Sequence, residues 1–155
     1  MLTRRTAYAL RALLHLAESP GFYGSARELS GAEAVPRRFL EAILRELLRE
    51  GLVESRRGQA GGYVLSRPPG QLSVADVIRA VDGDLFPFAC LNDAPRRCAQ
   101  CPGPDACPTQ QALVGLPRLI WKHLETQTLA DLSRDPATRS NLLRFAEVHN
   151  DREAP

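Results

Sequence analysis

The stretch PRRFLEAILRELLREGLVESRRGQAGGYVLS, residues 36–66, decides the fold. In its first part Phe39, Leu40, Ile43, Leu44, Leu47 and Leu48 recur at helical spacing, which predicts a helix over 36–50 with one apolar face. Pro36 suits the first helical turn, where no backbone N–H is needed, and Gly51 stops the helix. The second part holds two short β-prone runs, Leu52–Ser55 and Tyr63–Ser66, around the glycine-rich turn 57–62, and reads as a hairpin.

Two helices precede this unit. Ala9, Leu10, Leu13, Leu14, Leu16 and Ala17 form a stripe on a helix over 3–18, which Ser19, Pro20 and Gly21 end. Ser25 with Glu28 three residues on is a capping box, and it starts a short helix through Ser30 that Gly31 closes. Three helices and then a hairpin is the order of a winged helix-turn-helix, here over residues 1–70. The predicted class is therefore mainly α with a small β-hairpin wing. Downstream, 67–70 is a linker and Ser73 caps a helix through Val81. The segment 82–108 is irregular and holds every cysteine. Leu113, Leu116, Leu119, Ile120 and Leu124 then predict one long helix over 109–125, kinked at Pro117. Thr128 caps a last helix, Leu129–Ser133, and residues 135–155 read as a loosely held polar tail. The region 71–134 is thus organised apart from the winged unit.

The chain has 155 residues, 44% hydrophobic and 25% charged, which is enough for one packed domain and excludes a disordered or low-complexity polymer. No apolar run approaches the roughly 20 residues of a membrane span, so no membrane partner is expected. The N-terminus is basic and then apolar like a secretion signal, but Arg11 and His15 interrupt it; it reads as the first helix of a cytoplasmic protein. Eleven arginines against seven acids in residues 1–70 give that region a modest positive excess, and residues 71–155 are slightly acidic. A basic bias confined to one half points to an anionic partner there. There is no phosphate loop, no Ser/His/Asp grouping and no helical carboxylate pair, so nothing suggests an enzyme. His15, His123 and His149 read as surface or interface residues.

Two constellations carry chemistry. On the helix at 36–50, Arg37, Arg38, Glu41, Arg45 and Arg49 occupy the face away from the apolar one. Taken alone they read as a solvated face with i,i+4 pairs such as Glu41–Arg45. Beside a glycine-tipped hairpin they read as a DNA surface. Glu41 could accept from a cytosine amino group, Arg37 or Arg38 could take guanine or phosphate, and Arg57, freed by Gly58, Gly61 and Gly62, could enter a minor groove. The second constellation is Cys90-x7-Cys98-x2-Cys101-x5-Cys107. Four cysteines in 18 irregular residues suit metal or cluster ligation, with zinc acceptable, or thiol redox chemistry at Cys98 and Cys101.

These residues resemble the Rrf-type family of bacterial winged helix-turn-helix transcriptional regulators, which includes iron–sulfur (IscR-like), nitric-oxide (NsrR-like) and cysteine-metabolism (CymR-like) members. The resemblance covers about residues 1–134. It rests on Leu2-Thr3 and Tyr8, on Phe39-Leu40-Glu41, on Gly51-Leu52-Val53, on the wing Arg57-Gly58-x-x-Gly61-Gly62-Tyr63, and on Val77-Ile78-x-Ala80-Val81-Asp82. It implies a homodimer paired through 109–125 on double-stranded DNA, at a near-palindromic operator. It also implies base reading by Glu41 and minor-groove entry by Arg57. In the cluster-binding members three loop cysteines ligate iron; Cys101-x5-Cys107 has the spacing of the last two, and Cys90 is the natural first. Cys98 is extra. The IscR-like pattern has a His where this chain has Gln110, and the NsrR-like pattern an acid where it has Ala7. Cys98 could complete an all-cysteine iron–sulfur site, remain free, or pair with Cys101. The implied function is a regulator whose loop senses iron–sulfur, redox or nitrosative status; a structural zinc, no metal, or a Cys-x-x-Cys thiol oxidoreductase are the alternatives.

Overall fold

The computed structural model describes residues 3–18, 21, 23–33, 35–58, 61–85 and 107–134. Its hub is α1 (Arg4–Glu18), which packs against four other helices and against the hairpin. The apolar stripe read from the sequence is widened by this central place: Tyr8, Ala9, Leu10, Ala12, Leu13, Leu14 and Leu16 are all buried. Even Arg11 is covered, and its charge is met by Glu33, also buried.

Helix α2 (Ala26–Glu33) starts as expected, with the Glu28 amide donating to Ser25 Oγ at 3.2 Å and the Ser25 amide donating to Glu28 Oε2 at 2.8 Å. It does not stop at Gly31. Glycine costs a helix interior only about 1 kcal/mol, and Arg11 holds the last turn by donating to both the carbonyl and the carboxylate of Glu33. Helix α3 (Arg37–Arg49) follows Pro36 and ends at Gly51, whose φ of +70° favours glycine. Leu40, Ile43, Leu44 and Leu47 are buried, but Phe39 is 61% and Leu48 37% exposed. The predicted face was too wide. Steps of about 100° per residue put Phe39 and Leu48 on opposite shoulders of the buried strip, roughly 90° from its centre.

The hairpin is β1 (Val53–Arg56) paired antiparallel with β2 (Gly62–Leu65), with Val53 opposite Leu65 and Arg56 opposite Gly62. A third contact, invisible in the sequence, joins it to the entrance of α2. Tyr63 and Gly24 exchange two backbone hydrogen bonds of 2.8 and 2.9 Å. The linker forms a 3₁₀ turn at Pro69–Gln71. Helix α4 (Val74–Val81) carries a complete Ser73–Asp76 capping box and buries Val74, Ala75, Val77, Ile78, Ala80 and Val81.

The single long helix expected over 109–125 is instead two, α5 (Pro108–Leu113) and α6 (Leu116–Thr126). Gly115, at φ +85°, makes the break, and Pro117 sits in the first turn of α6, where its missing N–H costs nothing. Helix α7 (Leu129–Arg134) is capped by Thr128. Backbone bonds from Val74 N to Gln127 O (2.8 Å) and from Leu129 N to Leu72 O (2.9 Å) fasten the end of α6 to the start of α4. Leu72, Val77, Ile78 and Leu129 join α1 and α3 in one core. Cys90, Cys98, Cys101 and the tail 135–155 lie outside the described residues.

Candidate nucleic-acid interface

Helix α3 presents its charged face because its four buried leucine-type residues fix its rotation. With about 100° per residue, Arg38, Ala42, Arg45 and Arg49 line up opposite the buried strip. Arg38, Arg45 and Arg49 are exposed and Ala42 is half-buried. The pairing within this face differs from the expected Glu41–Arg45 ion pair. The Glu41 carboxylate is taken by Arg37, with Nε donating to Oε1 at 2.7 Å, and Arg45 Nε donates to the Glu41 carbonyl at 3.2 Å. Arg49 pairs with Glu50 at 3.0 Å. Among the described residues Arg38 and Arg57 have no hydrogen-bond or ion-pair partner, so both guanidinium groups are available to a ligand.

The hairpin tip is built for close approach. Gly58 has φ +114°, and the Gly61 amide donates to the Gly58 carbonyl at 3.0 Å, turning the chain behind Arg57. A Cβ at Gly61 would stand 2.2 Å from the Arg56 carbonyl oxygen, and one at Gly62 would stand 2.6 Å from that of Gly24. Glycine is therefore required at both positions, at the second because the strand lies against the entrance of α2. Arg57 and Gly58 are exposed, while Arg56 reaches back over the Tyr23 ring, 5.9 Å from its centroid.

Two anchors were missed in the sequence. Arg5 of α1 pairs with Glu46 of α3, clamping α3 to the hub. Asp82, at the C-terminal end of α4, accepts from the Thr3 amide (2.9 Å), from Thr3 Oγ1 (2.6 Å) and from Thr6 Oγ1 (2.6 Å). Partial burial pushes the Asp82 carboxyl up, but the hydrogen bonds from Thr3 and Thr6 and the charge of Arg5 outweigh it and hold its pKa below the ordinary aspartate value. No periodicity marks such long-range polar pairs; a threonine at a helix start and an aspartate at a helix end were the only signals.

Of the cysteines, Cys107 is half-buried, in no disulfide, and directly precedes α5. Among the described residues no group of three or more His, Cys, Asp or Glu could hold a metal ion, and no helix is long and apolar enough to cross a membrane.

Comparison with known proteins gives this surface its context. Residues 2–135 match the Rrf2 family, described as iron-dependent transcriptional regulators. The chain is 34% identical over 141 residues to a protein of Rhodobacter capsulatus named as an rrf2-like HTH-type transcriptional regulator, covering 85% of this chain and 91% of that one. Among solved structures it is similar to IscR of T. potens, at 27% identity and TM-score 0.66, with 87% of each chain covered. It shares its fold with CymR, the global cysteine regulator of B. subtilis, at 24% identity and TM-score 0.68, covering 86% of this chain and 96% of that one.

Proposed function

The chain belongs to the Rrf2 family of DNA-binding transcriptional regulators, not enzymes, and from that premise we propose a division of labour along it. Residues 1–70 read duplex DNA in the cytoplasm; residues 71–134 pair two copies and carry a sensor loop over 82–108. The observation that carries the DNA reading is the outward row of arginines on α3 beside a glycine-tipped hairpin with an unpartnered Arg57. In each half-site Arg38 takes guanine or phosphate and Arg45 tracks the backbone. Glu41 turns to a cytosine amino group once Arg37 leaves it for phosphate, and Arg57 enters the minor groove past Gly58, Gly61 and Gly62. Replacing Arg57 by Ala should weaken operator binding about tenfold in a fluorescence-anisotropy titration, the low end of what one good base contact contributes. Unchanged affinity in that variant would remove the wing from the interface. Binding should also fall steeply with salt as phosphate contacts release counterions.

Pairing through α5 and α6 is supported by Val114 (70% exposed) in the turn between them and by Leu119 (67%) and Leu116 (39%) on α6. Large apolar side chains left open along one helix pair are what a second copy covers, and two-fold pairing matches a near-palindromic operator.

For the sensor, the donor set fits an iron–sulfur cluster: four soft thiols lie within 18 residues, and Cys107 stands outside the core in no disulfide. Cys90, Cys101 and Cys107 would hold it, with Cys98 as the fourth donor. Such a centre, when bound, supplies a link among thiolates that oxidants and reactive small molecules can break. The chain's own residues carry the consequence. Asp82 begins the segment and grips Thr3 and Thr6, while Arg5 in the same turn of α1 grips Glu46 on α3, so strain at the end of α4 reaches the recognition helix. Anaerobic purification with a visible spectrum and iron, sulfide and zinc analysis tests this. Iron with acid-labile sulfide is the expected result. Stoichiometric zinc would make the site structural, and neither metal would leave a thiol switch.

A further inference from the structure

Exposed apolar side chains flank the charged outer face of α3 on both shoulders, Leu48 near its end at 37% exposed and, more openly, Phe39 near its start. Phe39 lies in the first turn of the helix, where such helices reach deepest into a major groove, and its ring is 61% exposed. Three residues on, and so beside it on the helix surface, comes Ala42, the one small residue in the row Arg38, Ala42, Arg45, Arg49. Its methyl lets whatever lies against the helix come close between the Arg38 and Arg45 side chains. An exposed aromatic ring next to an alanine, bounded before and after by arginines, is an apolar notch in a phosphate-seeking surface. Nothing in the core requires it: Leu40, Ile43, Leu44 and Leu47 already fill the buried side of α3.

Resting on the reading of α3 as the base-contacting helix, we infer that Phe39 and Ala42 form a specificity notch that reads a thymine methyl in each half-site. The chemistry leaves one candidate. The floor of a major groove presents hydrogen-bonding edges at every base, and its one apolar group is the C5 methyl of thymine. An apolar notch facing hydrogen-bonding edges would leave them desolvated and unpaired, so it disfavours cytosine and the purines as well as attracting thymine. The arginines on either side supply attraction to any duplex; the notch supplies discrimination.

The test uses the full chain and a library of random duplexes. Sequences enriched by the wild-type protein define the half-site, and each thymine in it is then replaced by uracil, which removes only the methyl. One position per half-site should lose about fourfold in affinity, the effect of one buried methyl group, and about sixteenfold when both half-sites are changed. In Phe39→Ala the same replacement should cost nothing, while its salt dependence stays as in the wild type because no phosphate contact is lost. Phe39 is exposed, so that variant should keep the wild-type circular dichroism and melting temperature. Ala42→Gln gives an independent check, since glutamine favours adenine and should shift the enriched base at that position. Uracil substitutions that are neutral everywhere in the wild type, or a methyl effect that survives Phe39→Ala, would overturn the notch alone. A library from which nothing is enriched would overturn the base-reading role of α3 and the notch with it.

Discussion

Helices α3 and α6 have nearly the same length and comparable numbers of apolar residues, yet they are finished to different degrees. α3 buries Leu40, Ile43, Leu44 and Leu47 within its own chain and turns arginines outward. α6 buries only Pro117 fully, half-buries Trp121 and Leu124, and leaves Leu116 and Leu119 open. Besides Trp121 and Leu124, which pack against the core, Arg79 ties α6 to α4: it lies over the Trp121 ring at 4.4 Å and donates to Glu125 Oε1 at 2.6 Å. The outer face of α3 is suited to a polyanion, and that of α6 to another apolar surface. One chain therefore carries two different kinds of unfinished business, and substitutions should separate them.

The largest separation is expected from Leu119→Glu. In a two-fold pair it would bury two carboxylates against apolar side chains, at a cost of about 4 kcal/mol or more. Sedimentation equilibrium should show a monomer, while circular dichroism stays native because Leu119 is 67% exposed in the single chain. A dimer that persists would move the interface off α6. Leu44→Ala should do the reverse. It should take about 3 kcal/mol from folding by leaving a cavity under α3, as followed by chemical denaturation, with self-association lost only as the fold is lost.

The same contrast explains what the sequence made legible. The α3 periodicity, the Ser25 and Ser73 caps and the glycine-tipped hairpin are local signals, each satisfied within a few residues, and they place the helix-turn-helix and wing correctly. The errors lie where the outcome depended on distant partners. Gly31 reads locally as a stop, but Arg11, twenty-two positions from Glu33, holds α2 beyond it. Spacing puts Phe39 and Leu48 on the apolar face of α3, but spacing alone cannot say how wide the buried strip is, and both are exposed. Pro117 reads as a kink because it lies inside a continuous apolar pattern; the left-handed Gly115 two residues earlier lets it start a new helix instead. The Arg5–Glu46 and Asp82–Thr3 contacts have no sequence period at all.

An intermediate effect should come from Gly62→Ala. Its Cβ would meet the Gly24 carbonyl oxygen at 2.6 Å, a backbone atom that cannot swing aside, so the hairpin must shift away from the entrance of α2. We expect a loss of about 2 kcal/mol in folding stability, the usual cost of overpacking, and a disproportionate loss of operator affinity because Arg57 moves with the strand. Sedimentation should report an unaltered dimer, keeping the wing and α6 separable.

The smallest effect, and the one that bears on how the two regions communicate, is Asp82→Asn. The amide oxygen can take the place of Oδ2 and still accept from the Thr3 amide and Thr6 Oγ1, but the amide nitrogen at the Oδ1 position cannot accept from Thr3 Oγ1, so the charge and one acceptor are lost together. Charge-assisted hydrogen bonds exceed neutral ones by about 1 kcal/mol, and at this half-buried site solvent screening keeps the difference no larger than that. The sign with pH is fixed by the lowered pKa of Asp82. A carboxylate whose folded pKa lies below its unfolded value stabilises fully above the unfolded value, near pH 4, and loses that contribution as pH falls through the folded one. Wild type and variant should therefore differ by a constant amount in urea denaturation from about pH 5 upward, and converge below about pH 4. Because Thr3 and Thr6 flank Arg5, the variant should also loosen Arg5 from Glu46 and lower operator affinity at neutral pH, with self-association through α6 untouched. A gap that widens toward acid would mean that the protonated carboxyl is the gripping form. A stability gap without any change in DNA affinity would mean that α1 holds α3 through Arg5 alone, and that strain at the end of α4 stops at Thr3.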